Sequence, residues 1–388
     1  MRNSILSIVS AVCLTTLSAG AVSPYIAKVY EYCPAPGQFI NTLPKYDEGD
    51  TYGTMLEKAG EQLTGDRTPG LISLGAFGGY VIFGFDHSVI NVPGEYDFKV
   101  YGNAILSNAS TGAGSSEPGI VMVSSDDNGN GLPDDEWYEL AGSEYNNEST
   151  IKNYGITYYA PAEDHVADPD PDNRYITDRS YIAWIADKGD VTQGYVMKNS
   201  SHQQSYWPGW VSQTTQTFAG TKLADNYVDT SGNGTYFVQM ALDWGYVDNL
   251  PNAQDSGFKI DWAVDAAGTP VLLDKIDFIR VHTAVNQYCG WLGETSTEVA
   301  GAEDLHPDYV SVGEIHADNE VLLLSGTTHN SITVRSSAAL PFTVYNTSGA
   351  RMLQGALLVG ETQIDTAALP EGIYILHTGK QSIKFVQK

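Results

Sequence analysis

The chain has 388 residues, with 47 Asp and Glu against 20 Lys and Arg, for a formal net charge of −27. So acidic a chain lacks the basic surface that nucleic acid demands, which excludes that class of partner. Glycine (39) and tyrosine (24) are abundant, charged residues make up only 17%, and amphipathic repeats of period 3.6 are scarce, so the chain reads as mostly β.

Residues 1–21 open with Arg2, continue through an apolar run from Ile5 to Leu17, and leave through Ala19-Gly20-Ala21. This is the pattern of a secretory signal peptide cleaved after Ala21. Ser7, Ser10, Thr15 and Thr16 interrupt the run, so it falls short of the roughly 20 apolar residues of a membrane span. Cys13 sits inside the run and not at its end, against lipid attachment. No later segment is apolar for long enough to cross a bilayer, and the mature chain is expected to carry no transmembrane segment.

Within the mature chain, one helix is expected over residues 51–63, starting near Asp50 and stopping before Gly65. The rest alternates apolar with small or polar residues. Strands are expected over 71–85, 96–103, 119–124, 154–159, 181–185, 236–242, 258–264 and 276–282, with Asn, Gly, Asp and Pro turns between them. Residues 168–172 (Asp-Pro-Asp-Pro-Asp) and 198–209 read as inserted loops. Many short strands with turn signals predict an all-β fold, a two-sheet sandwich of jelly-roll type.

One stretch carries clear chemistry. In residues 126–136, Asp126, Asn128 and Asn130 take positions 1, 3 and 5 of a loop, Gly131 position 6, Leu132 position 7 and Asp134 position 9. Calcium takes six to eight oxygens, best gathered by short acidic and amide side chains around such a turn. Position 12 is Trp137 and not Glu, so Asp135 or Glu136 must supply the last carboxylate. Unbalanced by a cation, these carboxylates repel one another. The expectation is a structural Ca2+ on Asp126, Asn128, Asn130, the Leu132 carbonyl, Asp134, Asp135 and Glu136; the alternative is an acidic Asn-Gly turn with no metal.

Tyr206, Trp207 and Trp210, with His202 nearby, pack large rings around Pro208-Gly209. Exposed, they would form a flat platform for sugar rings or a planar cofactor; buried, they would anchor the loop to the core. Trp244, Trp262 and Trp291 lie in strand-like patterns and are expected in the core. Cys33 and Cys289 are the cysteines left after signal cleavage, and an oxidising compartment favours a disulfide between them over two separate thiols. No Gly-x-Ser-x-Gly, P-loop, dinucleotide fingerprint or paired metal-ligand spacing is present. Carboxylate pairs such as Asp243 with Asp248, or Glu294 with Glu298, suit a glycosidase in principle, but acids are too frequent here for a pair to carry weight.

The C-terminal stretch is distinctive. Val344-Tyr345-Asn346-Thr347-Ser348-Gly349 reads as strand and turn, Leu369-Pro370-Glu371-Gly372-Ile373-Tyr374 as turn and strand, and Lys384 to Lys388 as a last strand with basic residues. From Gly313 onward the chain is nearly neutral. These elements resemble the C-terminal sorting domain of proteins exported by the type IX secretion system of Bacteroidetes. The resemblance implies a small Ig-like β-sandwich over 312–388, the type IX machinery as partner, and delivery to the outer cell surface or beyond. The body, 22–311, is similar over about residues 30–305 to secreted bacterial surface proteins with a galactose-binding or discoidin-like jelly-roll, on Gly78-Gly79, Gly84-Phe85-Asp86, Asn91-Val92-Pro93-Gly94, Asp97-Phe98-Lys99-Val100 and Ile276-Asp277-Phe278. Bacteroidetes members of that group tend to accompany uptake systems, cobamide uptake included. Together these readings predict a secreted binding protein for a glycan, a nutrient such as a cobamide, or a surface partner. The alternatives are a secreted carbohydrate-active hydrolase and a structural adhesion or surface-layer component.

Overall fold

The computed structural model describes residues 22–92, 94–307, 321–323, 327–328, 330–336, 339–346, 349–378 and 382–387. The signal peptide and the expected domain boundary at 311/312 fall outside the described residues. The chain is all-β, as its patterning predicts. The one α-helix among the described residues, Tyr52–Leu63, is capped by the Thr51 hydroxyl, which accepts from the Thr54 N–H at 3.3 Å. It turns Met55, Ala59 and Leu63 inward at the i, i+4, i+8 spacing of one helix face.

The central sheet of the body has the order Lys28–Cys33, Tyr80–Gly84, Phe278–Thr283, Gly119–Ser124, Tyr138–Leu140, Ala263–Val264, antiparallel throughout. Strands from both ends of the body therefore share one sheet, with Tyr80–Gly84 between Lys28–Cys33 and Phe278–Thr283. Val81, Phe83, Val121, Val123, Ile279 and Val281 alternate onto one face and form its core with Phe98, Phe258 and Val299. A second sheet, Gln193–Asn199, Ile176–Ala186, Ile151–Tyr159, Thr215–Lys222, buries Tyr154, Ile156, Tyr158, Ile182 and Trp184 in a core shared with Phe77 and Tyr206. A third, small sheet of Tyr227–Asp229, Phe237–Met240, Ala113–Gly114 and Leu106–Asn108 brings Gln239 beside Glu117.

Some expected strands break. Residues 71–85 form Ile72–Ser73 and Tyr80–Gly84, because Gly75 (φ 71°) and Gly78 (φ 87°) take left-handed backbone between them. Residues 258–264 are interrupted by a 3₁₀ turn, Ile260–Trp262, where the Ile260 N–H turns aside to donate to Asp97 Oδ2 at 2.6 Å.

The C-terminal unit is a small sandwich of two sheets. One orders Val321–Leu323, Ser331–Ser336, Gly360–Asp365; the other Thr327–Thr328, Ser382–Gln387, Gly372–His377, Leu340–Asn346, Arg351–Leu357. Between them lie Val321, Ile332, Val334, Phe342, Val344, Leu357, Ile364, Tyr374, Leu376 and Phe385. The Val-Tyr hairpin turns at Gly349 (φ 79°), and Asn346 Oδ1 accepts from the Ala350 N–H at 2.8 Å.

Candidate functional site

The acidic loop 126–136 joins Gly119–Ser124 to Tyr138–Leu140, two strands paired directly to each other through Met122 with Glu139 and Val123 with Tyr138. It is thus a hairpin connection held at the rim of the central sheet. The Asp126 N–H donates to Asp277 Oδ2 at 2.8 Å and the Ser125 hydroxyl to the Lys275 carbonyl at 2.8 Å, which fixes the entry. Gly129 and Gly131 take φ of 70° and 72°, left-handed values that glycine adopts without a Cβ clash.

Around that turn the polar side chains face inward. Asp126 accepts from the Asn130 and Gly131 N–H groups at 3.0 and 2.9 Å, and Asn130 Oδ1 from the Leu132 N–H at 2.8 Å. The Asn128 amide donates to Asp134 at 3.0 Å and to Asp135 at 3.1 Å, and the Asn130 amide reaches both Asp134 oxygens at 3.2 and 3.0 Å. Those amide bonds, Asn128 first, hold the Asp134 carboxyl below its ordinary range. Asp135 Oδ2 is buried with no hydrogen-bond partner. Five of the seven predicted ligand residues thus gather by their side chains. Leu132 joins by its backbone while its side chain stays half exposed. Glu136 instead lies against the Tyr138 hydroxyl.

The other expected sites are corrected. Tyr206 and Trp207 are buried, and Trp210 packs partly buried against the main core. The Tyr206 hydroxyl accepts from the Asn199 N–H at 3.0 Å and donates to the His202 carbonyl at 3.1 Å, while the His202 ring lies edge-on to Phe39. These rings anchor the 198–209 loop to the body and offer no open platform. Conversely, Trp244 and Trp291, expected inside, are 42% and 40% exposed, and Trp291 stacks on Tyr236, itself 52% exposed, at 5.9 Å and 8°. Cys33 and Cys289 are both free thiols. Cys33 ends an edge strand beside Tyr80 and Tyr52, whereas Cys289 sits buried 3.5 Å from the Thr295 hydroxyl, so strand adjacency in the body does not bring the two sulfurs together.

Burial also assembles a group that linear spacing hides. Oxygens of Glu117, Asp248 and Glu298 lie within 4.8 Å of one another. Asp248 has φ 55°, a strained value for a residue with a Cβ. That conformation aims its carboxylate at the Asn103, Ala104 and Glu298 N–H groups, at 2.7, 2.8 and 3.0 Å. Glu298 accepts from the Ser296 hydroxyl at 2.6 Å. Gln239 reaches Glu117 at 3.3 Å and the Thr295 hydroxyl at 3.0 Å. Burial pushes all three carboxyls up, and for Glu117 and Asp248 the neighbouring Glu298 carboxylate adds to it. Glu294, buried alongside, is raised to about 8 by the same desolvation although the Gln38 N–H donates to it at 2.9 Å. Sequence reasoning weighed Asp248, Glu294 and Glu298 only as near-neighbour pairs and missed Glu117. The one signal for it was a Glu directly ahead of Pro118-Gly119 and the apolar strand.

The chain matches the model of the family described as "Secretion system C-terminal sorting domain" over residues 328–388. None of the curated proteins matches the chain. Among the described residues, no helix is long and apolar enough to cross a membrane. The matched segment covers, in whole or in part, seven of the eight strands found among the described residues of the C-terminal sandwich, and Val321–Leu323, ahead of the match, joins the first sheet by pairing with Ser331–Ser336. The C-terminal unit is a type IX secretion sorting domain, and the protein is one that the type IX machinery carries to the cell surface or the extracellular space.

Proposed function

We propose that the body is a calcium-ordered binding module displayed at the bacterial surface, with a glycan as its ligand class. The observation that carries the calcium is the convergence of Asp126, Asn128, Asn130, Asp134 and Asp135 on one glycine-bent turn. There two amide nitrogens sit among carboxylate oxygens, and a hard cation would satisfy the same oxygens more strongly. The ion's role is structural: it orders a hairpin end of the central sheet.

For the ligand, the nearly parallel, stacked and half-exposed Tyr236–Trp291 pair takes the place of the buried Trp207–Trp210 loop. Flat rings with a polar edge suit the apolar face of a sugar. The similarity of the body to galactose-binding-like surface proteins supports the same class; a nutrient such as a cobamide or a protein partner are the competing occupants. The mature chain should bind calcium, and EDTA should lower its unfolding temperature by several degrees, since an ion bound only to the native state stabilises it. Asp126→Ala with Asp134→Ala should shrink that EDTA effect. Trp291→Ala should abolish retention on a glycan panel that the parent chain binds. No EDTA shift removes the calcium reading, and unchanged glycan retention removes the platform.

The buried carboxylates favour one second reading, a hydrolase, in which Glu117, the most accessible of the three, meets substrate. Release of reducing sugar by the parent chain and not by Glu117→Gln would establish it in place of simple binding.

A further inference from the structure

Two arrangements of acidic residues in one secreted body pose different problems. The rim loop is exposed, and water screens its charges. The trio of Glu117, Asp248 and Glu298 is not: Asp248 and Glu298 are 3% and 1% exposed, and buried carboxylates persist only when paired, hydrogen-bonded or bound to a cation.

Hydrogen bonds serve the trio, but no cationic side chain does. Asp248 accepts from three backbone N–H groups, and Glu298 from the Ser296 hydroxyl and the Ser73 and Asn103 side chains, with Glu117 also within hydrogen-bond reach. Among the described residues neither Lys nor Arg forms a salt bridge with any of the three. Two further acceptors close by have no partner. Gln239, 1% exposed and with its amide against Glu117, leaves Oε1 unbonded; Glu294, 4% exposed, leaves Oε2 unbonded. Three carboxylates gathered without a balancing positive charge suit a hard cation, and the Gln239 amide, turned over, would offer its free oxygen in place of the nitrogen that faces Glu117.

The spacing agrees. Calcium holds oxygens at about 2.3–2.6 Å, so two oxygens on opposite sides of one ion stand about 5 Å apart. The three carboxylates present oxygens within 4.8 Å of one another, inside that limit. The donors come from four separate places: the turn before Gly119–Ser124 (Glu117), the strand Phe237–Met240 (Gln239), the turn after it (Asp248) and the strand Glu298–Val299 (Glu298). Such an irregular set of carboxylates and an amide suits calcium, which tolerates uneven coordination, over magnesium, which requires a near-octahedral shell.

We infer that Glu117, Asp248 and Glu298, with the Gln239 amide oxygen, bind a second, interior calcium ion that clamps the small third sheet to the main body. This site is independent of the rim loop, and its accessible side is Glu117. The competing account is a proton shared between Glu117 and Glu298, which also relieves the repulsion but needs no metal.

The test counts ions on the full mature chain. Bound calcium is measured by elemental analysis after gel filtration in metal-free buffer, on parent, loop variant (Asp126→Ala with Asp134→Ala), interior variant (Glu117→Gln with Glu298→Gln) and the combination. Near-UV circular dichroism certifies the fold of each. The expected contents are two, one, one and none. An interior variant that keeps the parent's ion count overturns the proposal in favour of the shared proton. A loop variant that loses nothing while the interior variant loses one ion overturns the rim site alone. Should the double substitution prevent folding, Gln239→Ala keeps every carboxylate and should weaken the interior ion at least tenfold in a calcium titration; unchanged affinity there also overturns the proposal.

Discussion

Glu294→Gln puts a number on what burial does to this cluster. Glu294 is 4% exposed, its Oε1 accepts from the Gln38 N–H at 2.9 Å, and its Oε2 has no partner. Desolvation raises its carboxyl from 4.5 to about 8, so at neutral pH the folded chain holds a proton that the unfolded chain has released. The sign follows from that difference: the native state binds more protons, so this group's contribution to stability falls as pH rises between the two values. One pH unit is worth about 1.4 kcal/mol, so by pH 7 the loss is about 3 kcal/mol, and below pH 4.5 it vanishes. Glutamine keeps the acceptor for Gln38 and has no proton to lose. Urea unfolding followed by tryptophan fluorescence, in EDTA, should therefore show the Glu294→Gln chain gaining on the parent by about 1.4 kcal/mol per unit from pH 5 to 7. Parallel stability profiles across that range would refute the claim that this carboxyl is desolvated.

Other perturbations probe other parts of the structure. His282, 2% exposed with neither ring nitrogen hydrogen-bonded, is lowered to about 3 by burial and then by Arg280. The His282 contribution to stability should fall by about 1.4 kcal/mol per unit as pH drops below about 6.5, so His282→Leu should gain on the parent by that amount in the same urea assay; parallel profiles contradict it. Gly79→Ala would set a Cβ 1.9 Å from the Leu74 carbonyl oxygen and 2.3 Å from the Ala35 nitrogen, and should cost more than about 3 kcal/mol or prevent soluble expression. Trp207→Ala should cost about 3–5 kcal/mol of stability, read by thermal melting, while leaving glycan retention intact. Ellman's reagent in denaturant without reductant should count two thiols per mature chain, and far fewer in the native state, where burial pushes Cys289 up to about 12; a mature chain with no reactive thiol would restore the disulfide.

What the sequence made legible was what short-range physics decides. The helix Tyr52–Leu63 follows from the Thr51 cap and the spacing of Met55, Ala59 and Leu63. The rim loop follows from oxygens at alternate positions around Gly129 and Gly131. The sorting unit follows from the Val-Tyr hairpin and the Leu-Pro turn, whose partners lie within a few dozen residues. The failures were long-range. Trp207 and Trp291 carry the same ring, and which one meets solvent depends on what the second and third sheets bring over each. Strand pattern puts Cys33 and Cys289 in neighbouring parts of the body but says nothing of where a 3₁₀ turn such as Gly290–Leu292 will aim a sulfur. The carboxylate trio joins Glu117 to two residues more than a hundred positions away, and no local pattern distinguishes a Glu destined for the interior from one of the many on the surface.

The place of the last strand has a further consequence. Ser382–Gln387 is not an edge: it runs between Thr327–Thr328, in parallel, and Gly372–His377, antiparallel, with Phe385 sealed at 1% exposure. A polypeptide that stops a dozen residues early loses an inner ladder and the ring that plugs its sandwich, so the address is never assembled. Cargo released prematurely by the ribosome would therefore carry no readable ticket, and only finished copies would leave the cell.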